Sequence, residues 1–377
     1  MASNRPSLPP DARVLQASRL ETIGRSLRER GFSEKIVQKV SRPQRGSTLV
    51  SYDSKWAVFR DWCGERGLDP SSPPLPKLLE FLDFLFSERN FAVKTVKGYR
   101  SAIAVTLQAL GTWGPDWDSP VGALLANMAI ERPFCAHRTP KWDLSVVLKF
   151  LMGFPFEPLG RAELKWLTIK TVFLVALATA QRRSELHALA LKEVKFHSRS
   201  QGHGVSLGFV PGFLAKTQSP SASARRVEIP ALTNIVDRDL PDRTLCPVRA
   251  LRFYVDKTQD PSFRRGRERL FVSYLEGRDT EIRPATIARW IVLAVRAAYK
   301  NLESNRTLRR EASVTAHEVR ALATSWADYK GVALAEVLKA ASWAGHSTFS
   351  QFYLRDCSEL ADGMHAIGPV VAAQHVV

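Results

Sequence analysis

Apolar residues between positions 46 and 110 recur at three- and four-residue steps, the spacing that collects side chains on one face of a helix. Leu49, Tyr52, Trp56, Phe59 and Cys63 follow it and predict a helix beginning near Gly46. The segment GLDPSSPP then breaks the pattern, since Gly and Pro do not continue a helix. Leu78, Leu82 and Leu85 mark a second helix; Val96, Tyr99, Ile103 and Leu107 mark a third, from about Lys94. Together they predict an all-helical domain over residues 45–132. Before it, residues 1–44 are rich in Arg, Ser and Pro with little apolar rhythm. They predict a basic flexible arm, with room for a short helix or two within 20–40. ERPFCAHRTPK, charged and carrying two prolines, predicts an interdomain linker at 133–142 that would let two domains close around a long ligand.

Beyond the linker the rhythm is mixed. A long apolar helix from Trp166 to Ala180 runs into QRRSELHAL. Short strand-like pieces follow at VKFH, GVSLGFV and RRVEIP, separated by Gly, Pro and Ser, and predict a small antiparallel sheet beside a helical body. RLFVS is one further short apolar run. Helices are predicted at Ala285–Tyr299, Ala316–Tyr329 and Ala333–Trp343, with a short one ending near Leu354. The expected fold class is therefore mainly α with a small antiparallel β-sheet: a mixed α+β domain at 143–360 follows the helical one, and 361–377 form a tail.

Composition narrows the partners. Lys and Arg number 54 against 37 Asp and Glu, a formal charge of +17 spread along the chain. Such a field attracts polyanions, and displaced counterions reward nucleic-acid binding. Cys63, Cys135, Cys246 and Cys357 are scattered without a CxxC pair, as expected of reduced thiols inside a cell rather than a disulfide frame or zinc site. The first residues are polar and proline-rich, unlike a secretory signal. The longest apolar run, Thr171 to Ala180, is about half the length needed to cross a bilayer, so no membrane partner is expected. There is no Gly-x-Ser-x-Gly elbow, Walker loop or HExxH helix, and the acidic residues do not cluster. No metal and no cofactor is expected.

The candidate chemistry is cationic, with one tyrosine. THEVRALATSW sets His317 and Arg320 three apart near a helix start, on one face. The arginine fork matches phosphate oxygens and stays charged. ATAQRRSEL offers Arg182 and Arg183, with Glu185 placed to orient one of them. SWAGHSTFSQFYLRD contains Gly345, His346, Ser347 and Tyr353. Lys94, Lys97 and Arg100 line the outer face of the third helix. Each group also has an ordinary reading: a surface pair, a salt-bridged helix end, a packed aromatic, a solvated helix face.

Their succession is more specific. Arg-x-Ser-Glu-Leu, then a lysine on a β-turn, then His-x-x-Arg, then Gly-His, then Tyr resembles the tyrosine recombinase (phage integrase) family over residues 46–360. TVKGYRSAIA is similar to the third helix of that family's helical core-binding (SAM-like) domain. Trp343, STF and FYLRD are most similar to the enzymes of DIRS-like retrotransposons and Crypton-like elements. The resemblance implies a core-binding domain followed by a mixed α+β catalytic domain. It implies that Arg182, with Arg183 as the alternative, Arg320, His317 and His346 bind the scissile phosphate, and that Glu185 supports the arginine. Lys216, in FLAKTQS, matches the family's mobile β-hairpin lysine, which protonates the leaving 5′ oxygen, and Tyr353 would be the nucleophile. It further implies double-stranded DNA as partner, Lys94, Lys97, Arg100 and Arg183 as further DNA contacts, a homo-tetramer on two paired sites with a dimer per site, and nuclear action for an element of a eukaryote. One spacing departs from the pattern. Seven positions separate His346 from Tyr353, against about nine in many integrases, and two fewer residues turn a side chain through roughly half a helical turn. The retroelement enzymes share the short spacing. Two other readings stay open: a type IB topoisomerase, and a non-catalytic, domesticated DNA-binding protein.

Overall fold

A computed structural model describes residues 18–40, 46–135, 140, 142–197, 204–216, 226–232, 241–275, 281–301, 314–329, 331–341, 343 and 346–355. The chain divides into two compact units, Met1–Cys135 and Ala136–Val377.

In the first unit, α1 (Arg19–Glu29) begins where the Ser18 hydroxyl accepts the Glu21 N–H. It is joined through Gly31 to α2 (Glu34–Val40). Ile23 and Leu27 of α1 and Val37 of α2 are buried together, with Ala109 and Leu110 packed on them. The buried Arg19 guanidinium pairs with Asp53 at 2.8 Å. This corrects the expectation of a flexible arm: 19–40 fold onto the helical unit, while 1–17 lie outside the described residues. Ile23 and Leu27 lie four apart on one face of α1, but the charged residues around them give the segment a polar composition that reads as an arm. The main core joins α3 (Gly46–Gly64), α4 (Leu75–Ser87), α5 (Val93–Leu110) and α6 (Asp118–Glu131). Trp56, Phe59, Phe81, Leu82, Val96 and Ile103 are at its centre, the helical seams visible in the sequence. α5 stops at Gly111, whose φ of 80° closes the helix in the left-handed region.

The second unit is organised around α8 (Leu164–Thr179), buried at every position from Leu167 to Thr179. A helix apolar on all sides belongs inside a core. α7 (Leu144–Leu151) precedes it, and α9 (Arg183–Ala188) leads directly into β1 (Leu189–Phe196). β1, β2 (Gly204–Phe209) and β3 (Val227–Pro230) form one antiparallel sheet in that order. Val205 faces Phe196 on one side and Ile229 on the other. β1 starts five residues before the VKFH piece, and RLFVS contributes only a bridge from Arg269 to Ala190. Next come α10 (Pro247–Thr258), the short α11 (Pro261–Arg264), α12 (Pro284–Lys300), α13 (Ala316–Tyr329) and α14 (Leu334–Ala340). α10, α12 and α13 pack on α8. α14 is shorter than the predicted Ala333–Trp343, with Ala341 as its cap. Last, α15 (His346–Thr348) passes into a π-helical turn, Phe349–Tyr353.

A buried ion network ties this core to its loops. Lys170 of α8, with no exposed side-chain surface, donates to Glu157 at 2.5 Å and to the Leu151 carbonyl at 2.8 Å. Arg249 grips the same carboxylate at 2.7 and 3.0 Å. Burial pushes the Glu157 carboxyl up, but the bonds from Arg249 and Lys170 outweigh it and hold it below its ordinary value of 4.5. Burial also pushes the Lys170 ammonium down to about 8. A depressed carboxyl stabilises the fold above its unfolded pKa and loses that contribution as pH falls through the folded one. Unfolding free energy is therefore expected to decline below about pH 4.5. Glu157→Gln is expected to flatten this acid limb and to cost about 3–5 kcal/mol at neutral pH, because two cations lose their counterion. Urea titrations at pH 3.5–7 check both; a variant with the wild-type acid slope contradicts the assignment.

Candidate active site

The site begins at a reversed turn. Ala180, the cap of α8, adopts φ 49° and ψ 26°, a left-handed conformation uncommon for a residue with a β-carbon. The chain swings through buried Gln181, and Arg182 becomes the N-terminal cap of α9. Glu185, in the first turn, folds back: its carboxylate accepts the Arg182 backbone N–H at 2.7 Å and the Arg182 guanidinium at 2.9 Å. An acidic side chain in a helix's first turn also meets the positive end of the helix.

The second arginine arrives on α13. Arg320 is 2 % exposed, and its Nη1 donates to the Ala180 carbonyl at 2.5 Å and lies 3.8 Å from Glu185. Its Nη2 donates to the Ala341 carbonyl. One fully buried carboxylate thus stands between two guanidinium groups, and the reversed turn supplies a carbonyl to one of them. Both arginines are held before any ligand arrives.

Tyr353 reaches the same place from the C-terminal side. Its ring packs at a tilt on Trp343, centroids 4.5 Å apart, against a small apolar cluster of Ala341, Trp343 and Phe349. The Arg320 guanidinium lies 4.7 Å from the Trp343 ring and 5.5 Å from that of Tyr353. His317 meets the Tyr353 ring nearly at right angles, centroids 6.0 Å apart. Tyr353 is half-buried, and its hydroxyl has no hydrogen bond among the described residues.

His317 is exposed as a residue, yet its pKa is lowered: by desolvation first, then by the charges of Arg320, Arg182, Arg183 and Lys216. Four cations from three separate stretches therefore act on one imidazole. Desolvation and the neighbouring cations both disfavour the charged imidazole, which favours His317 as a proton acceptor. Lys216 is exposed on the stretch after β2. The rest of FLAKTQS, from 217, lies outside the described residues.

Other candidates are placed differently. His346 opens α15 on the surface, and its ring contact is with Phe349 at 6.4 Å. The π-helical turn Phe349–Tyr353 fills most of the seven-residue spacing between His346 and Tyr353. In the first unit, Lys94 and Lys97 are exposed on α5, and the partly exposed Arg100 pairs with Asp118 and lies 5.3 Å over Trp113. The 361–377 tail and Cys357 lie outside the described residues.

Three residues at the site were missed in the sequence. Arg355 makes a two-pronged bond to Glu318, Nε to Oε1 at 2.9 Å and Nη2 to Oε2 at 3.2 Å. The Ser325 hydroxyl donates to the Tyr353 carbonyl at 3.1 Å and accepts the Arg355 N–H at 2.8 Å. The only available hint was an acid placed between His317 and Arg320; its partner is 37 positions away.

No family model matches the sequence, and no curated protein matches it. Solved structures do. XerH site-specific recombinase bound to difH substrate, in a pre-cleavage complex, superposes with a TM-score of 0.52 at 15% identity, covering 91% of this chain and 94% of that one. The Tn1549 transposon integrase in complex with transposon right end DNA gives 0.51 at 12% identity, covering 92% and 98%. The fold is that of the tyrosine recombinases. At these identities the likeness is one of backbone architecture. The features shared with that fold are the mostly helical body and the small three-stranded antiparallel sheet.

Proposed function

We propose that this chain is a site-specific DNA strand-transferase of the tyrosine recombinase type, cutting and rejoining DNA through a 3′-phosphotyrosyl intermediate. The observation that carries the reading is the Glu185 carboxylate between Arg182 and Arg320, with the Tyr353 ring laid across Arg320. A phosphodiester carries one negative charge and gains charge on its non-bridging oxygens as it becomes five-coordinate. Preorganised guanidinium donors stabilise that gain, each worth on the order of 10² to 10³ in rate. The Tyr353 oxygen attacks phosphorus, and neutral His317 beside the ring takes the phenolic proton. The bond from phosphorus to the 5′ oxygen breaks, and Lys216 supplies a proton to that oxygen. Attack by another 5′ hydroxyl reverses the step and joins a new strand. His346 completes the phosphate contacts once DNA is bound. The DNA is double-stranded, gripped also through Arg183, Lys94, Lys97 and Arg100.

The finer assignment to a mobile element rests on the Trp343, STF and FYLRD box, which is similar to enzymes of DIRS-like and Crypton-like elements. A homo-tetramer on two paired sites and action in the nucleus follow from that assignment. The test is a duplex nicked just beyond the cleavage point, so that the released fragment diffuses away and the enzyme is trapped. A covalent complex is expected, with the nucleotide on Tyr353 by peptide mass spectrometry. Tight DNA binding with no adduct indicates a non-catalytic binding protein, and plasmid relaxation without exchange between two sites indicates a topoisomerase.

The acid role of Lys216 makes a separate prediction. Lys216→Ala is expected to slow single-turnover cleavage by about 10² to 10⁴. A substrate with sulfur at the 5′ bridging position should restore the rate, because a thiol has a pKa of about 8.5 and its thiolate departs without a proton. Equal defects on the oxygen and sulfur substrates would remove Lys216 from this role.

A further inference from the structure

We propose that Arg355, Glu318 and Ser325 are positioning residues that pin the Tyr353 peptide to the helix carrying His317 and Arg320; the catalytic meaning of this pin rests on the function proposed above. Tyr353 needs such a device. It ends a five-residue π-helical turn that follows a three-residue helix, and beyond it Leu354 leaves in an extended conformation with ψ 125°. Elements this short form few internal bonds, and their local opening costs little. The Leu354 N–H closes the turn on the Phe349 carbonyl at 2.9 Å, which fixes the turn itself but not its position against α13.

That position is set by two contacts from α13. The Ser325 hydroxyl bridges the Tyr353 carbonyl and the Arg355 N–H, so one side chain satisfies the peptide groups on both sides of Leu354. About two helical turns earlier, Glu318 receives the Arg355 guanidinium in its two-pronged bond. Glu318 is 3 % exposed and the Arg355 side chain 12 %, so water competes weakly for this pair. Arg355 Nη1 also donates to the carbonyls of Phe352 and Leu354, at 3.3 and 3.2 Å. Glu318 lies in sequence between His317 and Arg320. The helix that presents the proton acceptor and the buried arginine therefore also holds the nucleophile's backbone. A displacement of about 1 Å at a reacting group costs on the order of 10²-fold in rate.

Arg355→Gln, Arg355→Lys and Ser325→Ala test the pin, with the full chain as the wild type. Single-turnover cleavage of the nicked duplex is expected to fall about 10²-fold in Arg355→Gln, with DNA affinity within about threefold of wild type. Arg355→Lys keeps the charge but not the planar fork, and is expected to recover part of the rate. Ser325→Ala should show a smaller loss of the same kind. In all three, amide hydrogen exchange should quicken across 349–355 and stay unchanged across 316–324. Wild-type cleavage rates in Arg355→Gln and Ser325→Ala overturn the proposal, as does a rate loss matched by an equal loss of DNA affinity. If the wild type itself forms no adduct, the functional reading fails, and exchange alone decides the pin: unchanged exchange over 349–355 refutes it, and faster exchange supports it.

Discussion

In Tyr353→Phe, covalent capture of nicked DNA falls to background, a loss on the order of the 10⁶ seen when an enzyme loses its nucleophile. Binding of the same duplex and the melting temperature stay near wild type. The reason lies in how the ring is held. Its contacts are made by the ring: the tilted contact with Trp343 at 4.5 Å, the edge contact with His317 at 6.0 Å and the Arg320 cation at 5.5 Å. Phenylalanine keeps all three. The hydroxyl that it removes has no hydrogen bond among the described residues, so no buried partner is left unsatisfied. Gel-resolved covalent complex, fluorescence anisotropy and thermal melting, run on one preparation, separate the outcomes. An adduct at wild-type yield in the variant moves the nucleophile elsewhere. Loss of adduct together with loss of binding makes Tyr353 a structural residue.

The second large effect is on stability. Glu185→Ala removes the carboxylate from between two guanidinium groups, one 2 % exposed and the other 13 % exposed in its side chain. Two buried cations then face each other without a counterion, and the Arg182 N–H loses its acceptor. Stranding buried charge in this way costs about 3–5 kcal/mol. At roughly 2–4 °C per kcal/mol for a unit of this size, melting should drop by roughly 6–20 °C. Glu185→Gln keeps an acceptor oxygen while removing the charge, and is expected to fall between the two. Cleavage should suffer in both variants even below their melting points, because Arg182 and Arg320 are no longer held for the phosphate. Differential scanning calorimetry and single-turnover cleavage at 15 °C make the comparison; a drop of under about 1 kcal/mol in Glu185→Ala contradicts the buried bridge.

Legibility in the sequence followed the range of the interaction. α3, α4 and α5 could be found because each presents its own apolar seam to a core, and the residues of that seam are three or four apart. α10 was passed over although Val248, Leu251 and Tyr254 recur at three-residue steps on its buried face. α6 and α7 were not predicted because α6 segregates apolar from polar residues weakly and α7 spans only eight residues, so packing rather than a long local rhythm makes them helical. β1 shows the same limit. Leu189 and Ala190 continue the apolar run of a helix, but the Leu189 carbonyl accepts the Leu270 N–H and Ala190 bridges Arg269, so partners about 80 residues away start the strand early. Arg100 was placed by helix face, and its ion pair with Asp118 of the next helix could not be read from that face.

By itself the sequence determined the chemical inventory and its order: a basic chain, a helical first domain, Arg-Arg-Ser-Glu at the end of an apolar helix, His-x-x-Arg on another, and a late tyrosine. These follow from composition and from spacings within a single turn of helix. Tertiary structure alone decided which atoms meet. The Ala180 carbonyl receives an arginine 140 positions further on, Glu185 serves two guanidinium groups, and Arg355 reaches back to Glu318. Local rules do not encode such meetings, because a buried charge accepts whichever partner the packed core brings within hydrogen-bonding distance.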